Sequence, residues 1–159
     1  MLHLIFGCMY SGKTTKLLEK YKYFKKHKAK CILITPLSRV KTHDGEELES
    51  KTVRNLLMAD IDNYDAIFID EAQFYKDIMP FSYICRKKRK ALIMCGLNGD
   101  FKGRIFGEMV NLIPHATKVT YLTAKCICGK VAMYSKRLSD NDELVAVNDV
   151  YEPVCELHR

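Results

Sequence analysis

Apolar residues fall in four short, continuous runs, at 2–6, 31–35, 66–69 and 91–95, each bounded by turn or helix signals. Continuous rather than alternating, and rich in β-branched side chains, such runs predict strands buried on both faces, as in a parallel sheet. Helix-compatible stretches lie between them at about 13–27, 52–59 and 76–88. The alternation predicts an α/β fold, a twisted parallel sheet flanked by helices, with ligands at the carboxyl ends of the strands. The segment 36–50 is long enough to be a functional loop.

Around Pro114 the pattern changes. Stretches 117–123, 130–137 and 143–147 alternate or are β-branched, and the turn residues Ser139-Asp140-Asn141-Asp142 separate the last two. They predict a small β appendage. The expected division is therefore an α/β unit over 1–116 and a β subdomain over 117–159. No repeat or low-complexity segment interrupts either part.

At 159 residues and 48% hydrophobic, the chain has the length of one domain with a small appendage and can bury a real core. It is too short for a two-lobed motor. No apolar stretch approaches the roughly 18 residues needed to span a bilayer, and residues 1–6 are too few for a secretory core. Seven cysteines, an odd number without a secretory signal, argue for reduced thiols and a cytoplasmic protein. The net charge of +7 resides in two runs, six lysines without an acid in 20–30 and Arg86-Lys87-Lys88-Arg89-Lys90. Both lie at predicted helix ends, where cations complement the helix dipole as solvated charge; a nucleic-acid patch is the alternative.

Chemistry enters at residues 7–14. Gly7-Cys8-Met9-Tyr10-Ser11-Gly12-Lys13-Thr14 is a complete G-x-x-x-x-G-K-[ST] loop between a predicted strand and a predicted helix. Its glycines let backbone N–H groups curl around phosphates, Lys13 reaches the β/γ oxygens, and Thr14 offers a hydroxyl to Mg²⁺. The phosphates would sit on the positive N-terminus of the helix. A nucleoside triphosphate is the expected ligand.

Asp70 and Glu71 follow the third apolar run. Asp70 stands where an acid completes the Mg²⁺ shell in phosphate-loop proteins. Glu71 is suited either to accept a proton from an attacking hydroxyl, as in a kinase, or to orient a water, as in a hydrolase. No Asn-Lys-x-Asp stretch is present to read guanine.

Cys126 and Cys128 precede Gly129, while Cys155 and His158 lie near the C-terminus. Two such pairs at opposite ends of a β segment describe a four-ligand structural Zn²⁺ site, with ordinary reduced thiols as the alternative. The C-x-C spacing is one residue shorter than a usual knuckle, so it demands an unusual turn. Cys8, Cys31, Cys85 and Cys95 are scattered in apolar surroundings as core residues would be.

Taken together, the motifs resemble the thymidine kinase family of the tetrameric, zinc-bearing type. The similarity runs over nearly the whole chain: the phosphate loop with Met9 inside it, Asp70-Glu71-Ala72-Gln73-Phe74, Gly96-Leu97-Asn98-Gly99-Asp100-Phe101, Phe106-Gly107, Asn111-Leu112-Ile113-Pro114, Leu122-Thr123-Ala124, Tyr134-Ser135-Lys136-Arg137-Leu138 and Tyr151. The resemblance implies a RecA-like phosphate-loop sheet and a zinc-pinned lasso over a deoxynucleoside. It implies Glu71 as base for the sugar 5′-hydroxyl, with Thr14 and Asp70 serving Mg²⁺. Met9, Phe74, Leu97, Phe101, Phe106 and Tyr151 would wall the base pocket, with Ser135 near the base methyl. Backbone of Val145, Ala146 and Val147 would meet the thymine edge, and Arg39 would steady phosphate or sugar oxygens. ATP and thymidine would be the substrates and a homotetramer the assembly.

Three positions differ from the family's pattern. Leu37 stands where the family usually has Asp, Ser135 where it often has Thr, and Ala146 where a lasso glycine is common. On the residues alone, a phosphate-loop ATPase and a zinc-ribbon nucleic-acid binder are the competing functions. The first would turn over ATP without an acceptor, and the second would bind nucleic acid in a steeply salt-dependent way.

Overall fold

The computed structural model describes residues 1–159 apart from 38–39, 42–44, 46, 140–142 and 145–148. In chain order its strands and helices are β1 (Leu2–Gly7), α1 (Lys13–Lys26), β2 (Cys31–Thr35), β3 (Val40–Lys41), β4 (Glu47–Leu48), β5 (Lys51–Thr52), β6 (Ala66–Ile69), α2 (Ile78–Lys87), β7 (Ala91–Leu97), β8 (Lys118–Leu122), β9 (Ala124–Lys125), β10 (Val131–Ala132), β11 (Tyr134–Arg137) and β12 (Tyr151–Val154). Six of them form one parallel sheet in the order β5-β2-β6-β7-β1-β8.

The continuous apolar runs have the expected cause: both faces of the sheet are covered. On one face Leu4, Phe6, Ile67, Ile69, Leu92 and Met94 pack with Ile78, Phe81 and Cys85 of α2 and with Met109 and Leu112 of the short helical segment Met109–His115. On the other, Ile5, Leu33, Phe68, Ile93 and Cys95 pack with Leu17 and Leu18 of α1. Tyr21 and Phe24 of that helix meet the Phe68 ring edge-on, at centroid distances of 5.3 and 5.6 Å. Among the described residues no helix is long and apolar enough to cross a membrane.

Three expectations are corrected. The helix expected over 52–59 is absent: β5 adds to the edge of β2, Val53 N–H bonds the Thr35 carbonyl, and only the 3₁₀ turn Leu56–Met58 follows. The Asn55 side chain caps that turn, so too few residues remain to propagate an α-helix. The stretch expected to open the appendage at 117 instead supplies β8, which pairs in parallel with β1 and closes the main sheet. The chain leaves the sheet only after Leu122. Lastly, 130–137 divides into β10 and β11, and β11 pairs antiparallel with β12, a strand the sequence reading did not anticipate because Pro153 lies within it. Of the stretch 143–147, Glu143 and Leu144 are irregular and the rest lies outside the described residues.

Candidate active site

At its carboxyl end β1 runs into the phosphate loop, and α1 begins inside it at Lys13. Only glycine fits at position 7, because a Cβ there would stand 2.4 Å from Ser11 Oγ and 2.5 Å from the Leu122 carbonyl oxygen. The Ser11 hydroxyl and Lys13 Nζ both donate to the Cys8 carbonyl, at 2.8 and 2.7 Å, which holds the lysine amine within the curve of the loop. Cys8 is buried and its thiol donates to the Ala132 carbonyl at 3.4 Å, tying the loop to the appendage. Tyr10, at the outer tip, is half exposed.

One helical position into α1, Thr14 Oγ1 donates to Asp70 Oδ1 at 3.2 Å. Two hard oxygen donors from distant segments thus meet at one corner, a donor set suited to Mg²⁺. Asp70 follows β6 and is buried; the Cys95 thiol donates to its Oδ1 at 2.8 Å. Burial and the adjacent Glu71 charge push the Asp70 carboxyl up to about 6, against the opposing hydrogen bonds from Cys95 and Thr14. A buried carboxylate with this bias gains from a cation beside it.

Glu71 sits at φ 53°, a left-handed backbone conformation that turns the strand sharply into the 3₁₀ turn Ala72–Phe74. Gln73 Nε2 donates to Glu71 Oε2 at 2.6 Å, and Gln73 Oε1 accepts the Leu97 N–H at 3.1 Å. The amide therefore fixes the Glu71 carboxylate against the end of β7. Gly107 packs its backbone against Gln73: a Cβ at that left-handed position (φ 72°) would stand 2.1 Å from the Gln73 carbonyl oxygen. Sequence reasoning assigned Gln73 no role, although an amide two residues after a candidate base is a usable signal.

Beside Glu71 opens a cavity of about 330 Å³, within the usual range of small-molecule sites. Met9, Glu71, Phe74, Leu97, Phe101, Phe106, Ser135 and Tyr151, all anticipated from the sequence, line it together with Leu37, Gln73, Gly99, Asp100 and Leu144. Phe74 and Phe106 meet edge-to-face at 5.5 Å. The Asp100 oxygens accept the Lys102 and Arg104 N–H groups and the Arg104 guanidinium, which shapes the turn that presents Phe101. The Ser135 hydroxyl accepts the Met9 N–H at 2.9 Å. Arg39, Val145, Ala146 and Val147 lie outside the described residues.

Away from the cavity, Cys126, Cys128, Cys155 and His158 bring one ligand atom each to within 4.8 Å of one another. Cys128 Sγ and Cys155 Sγ are 3.6 Å apart, and His158 Nδ1 lies 3.3 Å from Cys126 Sγ and 3.5 Å from Cys155 Sγ. Tetrahedral Zn²⁺ at its usual bond lengths requires edges of about 3.8 Å between sulfurs and about 3.6 Å between sulfur and nitrogen. The donor set fits zinc. The turn that the short C-x-C spacing demands is closed by Gly129 N–H to the Cys126 carbonyl and by Cys126 N–H to the Lys130 carbonyl. Backbone N–H groups of Cys128 and Cys155 favour the Cys126 thiolate, drawing its pKa down to about 6.

Comparison with known proteins agrees in coverage with this site. A family model described as thymidine kinase matches residues 1–159. A thymidine kinase of Fowlpox virus (strain NVSL) is 37% identical, over 97% of this chain and 93% of the relative. One from Sheeppox virus (strain KS-1) is 35% identical over the same shares, and thymidine kinase 1 of Dictyostelium discoideum is 35% identical over 97% of this chain and 75% of its own. With a phosphate loop, an acid pair, an aromatic-walled cavity and a Cys₃His cluster in one chain, this protein belongs to the thymidine kinase family.

Proposed function

We propose that the protein transfers the γ-phosphoryl group of ATP to the 5′-hydroxyl of thymidine, giving dTMP. The observation that carries this reading is the position of Glu71, which lines the aromatic-walled cavity while its neighbour Asp70 bonds Thr14 of the phosphate loop. A sugar hydroxyl in the cavity would lie between a proton acceptor and the triphosphate. Gly7 to Thr14 cradle the phosphates, with Lys13 moving from the Cys8 carbonyl to the β/γ oxygens. Thr14 and Asp70 would hold Mg²⁺, which supplies charge stabilisation to the transferring phosphoryl. Glu71 takes the 5′-hydroxyl proton, and Gln73 keeps its carboxylate aimed.

Met9, Phe74, Leu97, Phe101, Phe106 and Tyr151 would exclude water from the base and fix its plane, with Ser135 beside the base methyl. Arg39 and the backbone of Val145, Ala146 and Val147 keep the sugar and thymine-edge roles implied by the resemblance. Cys126, Cys128, Cys155 and His158 would hold one structural Zn²⁺ at the base of a lasso subdomain that covers the site, and the working assembly would be a homotetramer.

An acceptor panel tests the reaction. ADP release should require a deoxynucleoside and be fastest with thymidine; acceptor-independent turnover would overturn the proposal in favour of an ATPase. Glu71→Gln should retain ADP binding and lose about 10²-fold or more in kcat, since only proton transfer is removed.

A further inference from the structure

Cys95 carries the one side-chain hydrogen-bond donor in β7, an otherwise apolar strand. It is buried and packs with Leu17, Phe68 and Ile93 on the face of the sheet that α1 covers. Alternation along a strand puts Asp70 on the same face as Phe68, and Cys95 on the same face as Ile93. The register that pairs Ile69 with Met94 then brings Asp70 beside Cys95. The thiol donates to Asp70 Oδ1 at 2.8 Å. A small apolar side chain would fill the same space, so packing accounts for the size of this residue and not for its donor.

Asp70 is held from three directions. Its backbone N–H donates to the Ile34 carbonyl of β2 at 2.9 Å, which fixes the main chain. The carboxylate is another matter, because the last torsion of an aspartate has no sharp staggered wells and turns unless something holds it. Thr14 lies nearly as far from Oδ1 as from Oδ2, at 3.2 and 3.4 Å, so it barely distinguishes the two. Cys95 does distinguish them. Its bond from β7 fixes which oxygen faces the sheet and which remains for a cation. Outer partners of this kind, which orient a ligand without touching the metal, commonly set metal affinity.

We infer that Cys95 is a positioning residue whose thiol holds the Asp70 carboxylate in the orientation that receives Mg²⁺, without becoming a ligand itself. This inference rests on the reading of Thr14 and Asp70 as the Mg²⁺ pair.

The test is titration of Mn²⁺, standing in for Mg²⁺, into the ADP-bound protein, followed by electron paramagnetic resonance of the bound metal. The proteins are the wild type, Cys95→Ser, Cys95→Ala and Cys95→Val. Serine keeps a donor; alanine and valine have none and change the side-chain volume in opposite directions, so agreement between them isolates the donor from packing. The Mn²⁺ Kd should rise about fivefold or more with alanine and with valine, the effect of one hydrogen bond, and stay within about twofold with serine. ADP affinity measured without metal should stay within about twofold in all three. Wild-type Mn²⁺ affinity in either the alanine or the valine variant overturns the inference. An equal loss in the serine variant does so too, as does a parallel loss of metal-free ADP affinity, which would make Cys95 a general structural residue. Asp70→Asn separates the two readings: it should weaken Mn²⁺ further than any change at Cys95. If it binds Mn²⁺ as the wild type does, the assignment of Asp70 to the metal is itself wrong and the role of Cys95 falls with it.

Discussion

The Ser135 hydroxyl accepts a hydrogen bond from the Met9 backbone N–H at 2.9 Å, joining two residues 126 positions apart. Met9 belongs to the phosphate loop and both residues line the cavity, so this contact joins the loop to the cavity. Ser135→Ala removes the acceptor, and a typical hydrogen bond of about 1 kcal/mol predicts a roughly fivefold rise in KM for both substrates. Ser135→Thr keeps the hydroxyl and adds a methyl worth about 0.8 kcal/mol of apolar contact, which should shift kcat/KM roughly fourfold toward thymidine over deoxyuridine. Measuring that ratio in both proteins decides the matter; an unchanged value refutes a base contact at this position.

Glu71 is aimed by an amide. Gln73→Leu would leave the carboxylate without its donor at 2.6 Å and the Leu97 N–H without its acceptor. We expect kcat to fall about tenfold or more, with thymidine KM changing less than threefold and the melting temperature dropping slightly, since a part-buried donor loses a hydrogen bond of about 1 kcal/mol. Gly107→Ala should reproduce the defect from the other side by driving a Cβ into the Gln73 carbonyl. Wild-type kcat in both variants would mean that Glu71 is held some other way.

Acid stability should depend on His3. The ring is buried in β1, within 2.9 Å of the Thr120 hydroxyl, and burial, then the charges of Lys20 and Lys118, lower its pKa from 6.5 to about 4. Between those two values the unfolded chain binds a proton that the folded chain refuses, so stability is lost as pH falls from about 6.5 toward 4 and is level above. Melting curves at pH 5 and pH 7 should show a larger acid loss for the wild type than for His3→Gln. Equal losses would place the acid sensitivity in other groups.

Metal removal should reach the cavity. Next to His158, the Arg159 guanidinium donates to the Lys102 carbonyl at 3.1 Å and stacks on Tyr134, while Lys136 Nζ bonds the His158 carbonyl at 3.2 Å. The Cys₃His cluster is thus mechanically continuous with the turn bearing Phe101. The protein should carry one zinc per chain, and Cys128→Ser or chelation should lower the melting temperature and raise thymidine KM more than ATP KM. Full stability and unchanged kinetics after metal removal would show that the cluster is only a group of thiols.

The legible parts of this protein were those that chemistry writes locally. The phosphate loop, the Asp70-Glu71 step and the four buried strands each occupy a contiguous stretch whose spacing or apolarity has one cheap physical explanation, and the strands lie where those runs placed them. The segment 52–59 misled because helix-compatible composition cannot reveal that β2 has a free edge awaiting β5. Strand β8 misled for the same reason, since its alternation is that of any edge strand and only its pairing with β1 assigns it to the main sheet. Ser135, Phe101 and Tyr151 were named from resemblance; what they contact was not.

By itself the sequence determined the sheet's core, the glycine-rich loop between β1 and α1 and the ligand types available for a metal, because burial periodicity and short motifs are carried by neighbouring residues. Only the tertiary structure decided that Gln73 aims Glu71 and that Ser135 joins the phosphate loop to the cavity. Those are contacts between segments far apart in the chain, and a side chain's partner there depends on where the backbone carries both.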